Sequence, residues 1–161
     1  MRLEKELEKL VQDMGDLSTG FREFAGDFAA VLQASMISAQ FPERGEQMQA
    51  LAATTSQPSI EEIEALWLLV QEEMTEAGKV ALFPAPVVRA DGSSDQREVL
   101  RVGTFSAFAG GEFLRYVPET GELLVLSRQP TARLRSGAQA FAAAGGELAP
   151  ITVDPTRGSL L

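Results

Sequence analysis

Leu3, Leu7, Leu10, Met14, Leu17, Phe21, Phe24, Phe28 and Val31 follow one another at alternating steps of four and three residues. A heptad pattern held for about four heptads constrains a chain severely, because only a helix brings such positions onto one narrow stripe and such a stripe is suited to meeting another helix. The spacing predicts one long helix over residues 1–40, an oligomerising arm with Leu3, Leu7, Leu10, Met14, Leu17, Phe21 and Phe24 as its seam. Gly15, Gly20 and Gly26 each lower helix propensity by roughly 1 kcal/mol, so packing has to hold the helix. With Leu3 at position d, the flanking positions of the first two heptads are Glu4, Glu6, Val11 and Asp13, which offer no attractive opposite-charge pairs between parallel copies. Further along, Ser18, Ala25 and Leu32 widen the apolar stripe. The pattern therefore reads as two regimes, a coiled-coil seam followed by a helix lying on a globular core or a larger bundle, with a single amphipathic core helix throughout as the alternative.

Pro42 and Gly45 end the arm, and residues 41–161 read as an α+β domain. A short helix is expected over 46–53. Ser59 stands three residues before Glu62, a capping box that opens a helix over 59–77, with Ile60, Ile63, Leu66, Trp67, Val70 and Met74 as its buried stripe and Gly78 as its stop. Residues 79–126 read as strands in two successive hairpins: "KVALFPAPVVRA" and "REVLRVGTFSAF" around "DGSSDQ", then "EFLRYV" and "ELLVLS" around "PETG". This predicts a small antiparallel sheet of about four strands, with Pro84 and Pro86 placing the first at an edge or on a bulge. A packed helix over 130–143 and an extended tail over 147–161 complete the expected architecture.

The chain has neither Cys nor His, which removes thiol and imidazole chemistry and the usual zinc sites. A net charge of −9, with 14 basic residues among 23 acids, opposes nucleic-acid binding. The paired acids Asp91/Asp95 and Glu119/Glu122 fall in hairpin loops, where solvent does not separate their pKa values as acid–base catalysis requires. "DGSSD" holds only the ends of a calcium loop, and the glycine pairs at 110–111 and 145–146 lack the lysine of a phosphate loop. The acidic runs "EEIE" and "QEEM" read as a solvated helix face, and Trp67 as core. Arg128, Arg133, Arg135 and Arg157 fall in the last third; surface Arg beside local acids is the commoner reading, with a partner-binding Arg surface as its alternative. No catalytic, cofactor or metal residue is assigned, and an enzyme is not expected.

Several stretches in series, "SAQFPERGEQMQAL", "PSIEEIEALWLLVQEEMTEAGKV", "VLRVGTFSAF", "YVPETGELLVLSRQPTAR" and "VDPTRGSLL", carry a resemblance covering roughly Gly15 to Leu161. The chain resembles the N-terminal periplasmic region of TtpC-like members of the MotA/TolQ/ExbB proton-channel family, which work with TonB systems. The resemblance implies a coiled-coil arm, then a small α+β domain in the periplasm, then entry into the inner membrane soon after a "DPxRGxLL" stretch. Asp154, Pro155, Arg157, Gly158, Leu160 and Leu161 match that membrane-approach motif. Arg157 suits either a lipid headgroup level or a pair with Asp154. What the resemblance implies functionally is a non-enzymatic, homo-oligomeric scaffold or docking domain in TonB-dependent energy transduction, with ExbB-like, ExbD-like and TonB-like partners. The family's channel activity belongs to membrane helices and is not carried over to these residues. The competing expectation is an oligomeric module binding a small molecule or cell-wall fragment in a deep apolar pocket; a carboxylate-dependent hydrolase comes third.

Overall fold

A computed structural model describes residues 2–144, 148–154 and 156, except for the side chains of 2, 4, 7, 8, 10, 11 and 13. Helix α1, Arg2–Ala34, is followed by a 3₁₀ turn, Met36–Ala39, and by helices α2, Glu43–Ala52, and α3, Ile60–Ala77. Five strands come next: β1 Val80–Val88, β2 Ser94–Val102, β3 Ser106–Ala109, β4 Glu112–Val117 and β5 Glu122–Val125. Helix α4, Ala132–Ala143, closes the order.

The helical layer is built on the inner edge of α1. Phe21, Ala25 and Leu32 pack with Met48 and Leu51 of α2 and Leu66 and Leu69 of α3. These α1 positions follow the widened side of the stripe, so the helix turns its later half towards its own core. α3 starts where the sequence places it. The Glu62 amide donates to Ser59 Oγ at 3.2 Å and the Ser59 amide to Glu62 Oε2 at 2.8 Å, so two of the amides left over at a helix start are satisfied reciprocally.

The sheet differs from expectation: it is a closed five-stranded barrel, not an open antiparallel sheet of four strands. Two physical causes account for this. The run "REVLRVGTFSAF" is two strands, because Gly103 takes φ +54° and turns the chain between β2 and β3. A meander of five strands then leaves its first and last running the same way, so β1 and β5 can close the barrel only in parallel, as Val87 opposite Leu123 and Val88 opposite Leu124. Pro84 and Pro86 sit within β1 opposite Glu98 and Gln96 of β2, while closure removes the free edge that they suggested.

Strand alternation sorts the side chains. Phe83, Ala85, Val87, Val99, Ala107, Ala109, Leu114 and Leu123 fill the barrel, and Met36 and Ala39 of the 3₁₀ turn pack against them, stoppering the interior with a piece of the helical layer. On the outer face, Leu100, Phe108 and Phe113 pack beneath Leu134, Ala138 and Phe141 of α4. Phe108 and Phe113 meet edge to face with centroids 4.5 Å apart. Ile151 of the tail joins this second core.

Candidate self-association interface and buried charge junction

The predicted seam is divided by the fold. Phe21 is 7% exposed and belongs to the helical core, whereas Leu3, Met14, Leu17 and Phe24 face outward. Leu17, Phe24 and Val31 are each about half exposed and recur every seven residues, with Leu3 two heptads earlier on the same position. Phe24 stacks on Phe28, ring centroids 5.9 Å apart, so the outer edge is continuous with the inner one. The side chains of Leu7 and Leu10 lie outside the described residues. Thus α1 has two apolar edges, one consumed by α2 and α3 and one presented to solvent. Covering the exposed half of each outer residue is worth about 1 kcal/mol.

Helix α3 repeats the arrangement. Ile60, Trp67 and Met74, again seven apart, are exposed, as are Ile63 and Leu68, while Leu66 and Leu69 are buried. Trp67, expected in the core, is 59% exposed. Two apolar stripes run along this helix, and periodicity alone does not say which one meets the domain's own core. The inward face carries acids expected to be solvated: Glu73 and Glu76 are turned in, whereas Met74 between them faces solvent.

Two buried arginines hold that face. The Arg44 guanidinium of α2 is 2% exposed; it donates to Glu73 Oε2 at 2.9 Å and to Ser38 Oγ at 3.1 Å and lies 3.8 Å from Glu72. Ser35 Oγ donates to the other Glu73 oxygen at 2.7 Å. Arg101 of β2 is fully buried; it donates to Glu76 Oε2 at 2.7 Å, Gln40 Oε1 at 2.9 Å and the carbonyls of Glu76 and Gly103 at 2.9 and 3.0 Å. A cation at the carbonyl end of α3 also opposes the negative pole of that helix. Lys79 completes the cluster, 2.6 Å from Glu76 Oε1. Burial by itself raises the Glu76 pKa, but hydrogen bonds from Lys79 and Arg101, together with their charges, outweigh it and hold the carboxyl below its ordinary value. Burial pulls the Arg101 guanidinium below its ordinary value, against the stabilising charge of Glu76. The close approach is backbone-deep: a Cβ on Gly103 would fall 2.5 Å from the Ala77 carbonyl oxygen. These groups rivet the helical layer to the barrel, and sequence reasoning missed them. The available signal was Arg101 itself, a lone charge inside the apolar run "VLRV".

Of the acids expected in hairpin loops, Asp91 lies in the turn between β1 and β2, whereas Asp95 and Glu122 lie within β2 and β5. Asp91 Oδ1 accepts from the amide and hydroxyl of Ser93, bonds that lower its pKa, and Asp95 pairs with Arg89 at 2.9 Å. Asp154 accepts from the Thr156 amide and hydroxyl, and its own amide donates to Ser106 Oγ at 2.8 Å, tying the tail to the barrel. The remaining positions of the membrane-approach motif, Pro155, Arg157, Gly158, Leu160 and Leu161, lie outside the described residues. Among the described residues no helix is long and apolar enough to cross a membrane, and no three acids gather as a metal site would require. Compared with known proteins, the chain matches no family model, no curated protein and no solved structure.

Proposed function

We propose that this protein is a non-enzymatic scaffold module that assembles with copies of itself through the outer edge of α1. The observation that carries the reading is the exposed heptad edge Leu17, Phe24 and Val31, which the protomer leaves uncovered although the same helix has a second edge fully packed. In the setting that the sequence resemblance implies, the module stands in the periplasm on an ExbB/TolQ-like inner-membrane protein and docks ExbB-like, ExbD-like and TonB-like components of a TonB system. A barrel filled by its own side chains and stoppered by Met36 favours a rigid spacer over a module that takes a ligand into a deep apolar pocket.

Light scattering coupled to gel filtration tests the assembly. The full chain is expected to exceed its protomer mass of 17.3 kDa at high concentration, and L17E/F24E is expected to return to that mass with an unchanged circular dichroism spectrum. A wild-type chain that stays at the protomer mass at several hundred micromolar sinks the assembly. Docking is tested separately by recovery from a detergent extract of inner membranes: absence of every Exb- or TonB-like component removes the proposed setting but leaves self-association standing.

A further inference from the structure

The parallel seam that closes the barrel is only two residue pairs long. Beyond Val88, β1 leaves for its hairpin, where the Arg89 amide donates to the Ser93 carbonyl at 2.8 Å. Beyond Leu124, the chain stays with β4, the Leu126 amide donating to the Phe113 carbonyl at 3.0 Å. The two strands therefore part, and an open cleft of about 360 Å³ lies between them, lined by Arg89, Arg115, Leu124, Leu126, Ser127 and Arg128. Arg115 stands opposite Leu124 in the β4–β5 ladder, one residue from the inward Leu114, so strand alternation sends it to the outer face where the cleft opens.

Three arginines line this cleft in a chain whose acids outnumber its bases by 23 to 14. Only Arg89 is paired, to Asp95, which is also 3.6 Å from Arg97; Arg97 in turn is held by Glu112 at 2.8 Å. Arg115 and Arg128 have no ion-pair partner among the described residues. Gathering like charges without counter-charges costs energy, and no packing in the protomer requires it, since both side chains are exposed. Planar guanidiniums are suited to grip oxyanions with paired hydrogen bonds, the Ser127 hydroxyl supplies one more donor, and Leu124 and Leu126 offer an apolar wall. The uncompensated charge is about two units, which matches the −1.5 to −2 of a phosphate monoester near neutral pH.

We infer that this cleft is an oxyanion site for a phosphate group, borne by a soluble phosphate ester or by a lipid headgroup. The site stands apart from the α1 edge and does not depend on self-association.

Calorimetric titration of the full chain with inorganic phosphate is expected to show saturable binding that weakens with added salt. R115Q/R128Q is expected to weaken it about tenfold or more, whereas R133Q, on α4 and outside the cleft, leaves it unchanged. Both variants alter exposed side chains and should keep the wild-type melting profile. Co-sedimentation with vesicles containing phosphatidic acid, whose headgroup is a phosphate monoester, against pure phosphatidylcholine, distinguishes the sources. Phosphate binding without sedimentation assigns a soluble ester; phosphate binding with sedimentation lost in R115Q/R128Q assigns a headgroup. No phosphate binding, or binding equal in wild type and R115Q/R128Q, overturns the site, and so does vesicle binding without phosphate binding.

Discussion

Arg101 and Glu76 show why a charge can be kept inside this protein. Each has lost its water, and each recovers it in hydrogen bonds that also join two elements, β2 and the end of α3. Truncating one partner strands the other, so E76A is expected to cost about 3–5 kcal/mol of unfolding free energy in urea. Removing both charges in E76A/R101M is expected to recover a substantial part of that loss, a coupling a double-mutant cycle would measure. The same pair sets an acid limit. Because the folded protein holds the Glu76 carboxyl below its ordinary value, protons bind the unfolded chain more readily. The resulting stability is therefore complete above about pH 4.3, the unfolded value, and is lost as pH falls through the lower folded value. Unfolding free energies measured across this range should fall more shallowly with acid in E76A than in wild type; equal slopes would mean that Glu76 does not set the limit. None of this is legible in "QEEMTE", since acids three and four apart mark a wet helix face equally well. What decides the matter is a basic residue 25 positions away, and pairings at that separation leave no periodic trace.

At the scale of elements, local chemistry was legible and partnership was not. Ser59 and Glu62 announce the start of α3, and "PETG" announces the turn between β4 and β5, because capping and turning are settled by neighbours within four residues. The split between β2 and β3 is also local, but Gly103 is a glycine in an apolar run, and the lack of room for a Cβ there is seen only once Ala77 lies against it. The heptad pattern of α1 reads as a seam followed by a core-facing stretch; the fold instead gives the helix two edges side by side, because Phe21 and Leu32 pack within the protomer whereas Leu17 and Val31 are half exposed. The 3₁₀ turn is the least predictable element and among the most connected. Met36 is 1% exposed within the barrel core, and Ser35 beside it holds Glu73. M36A should therefore empty space that no nearby loop can refill and lower stability by about 2–5 kcal/mol, measured by urea denaturation. A loss under 1 kcal/mol would show that the stopper is dispensable.

For the whole molecule, the helical layer and the barrel are expected to unfold as one unit, because the stopper and the arginine rivets cross the boundary between them. Trp67 fluorescence, reporting α3, and far-ultraviolet circular dichroism, reporting all elements, should give coincident urea transitions in L17E/F24E; separated midpoints would mean two independent units. In the wild type the midpoint should also rise with protein concentration, since assembly stabilises the folded chain by mass action. Closure of the barrel was the part of the fold hidden from the sequence: hairpins are announced by their turns, but the pairing of Val87 with Leu123 spans 36 residues and has no turn to announce it. That pairing has a mechanical consequence. The chain enters the barrel from α3 at Val80, the start of β1, and leaves it at Val125, the end of β5. Tension between arm and tail would pull two parallel neighbours from opposite ends, sliding one along the other instead of peeling them apart. Their hydrogen bonds would then share the load simultaneously, so the shortest ladder in the barrel lies in the orientation that resists stretching best.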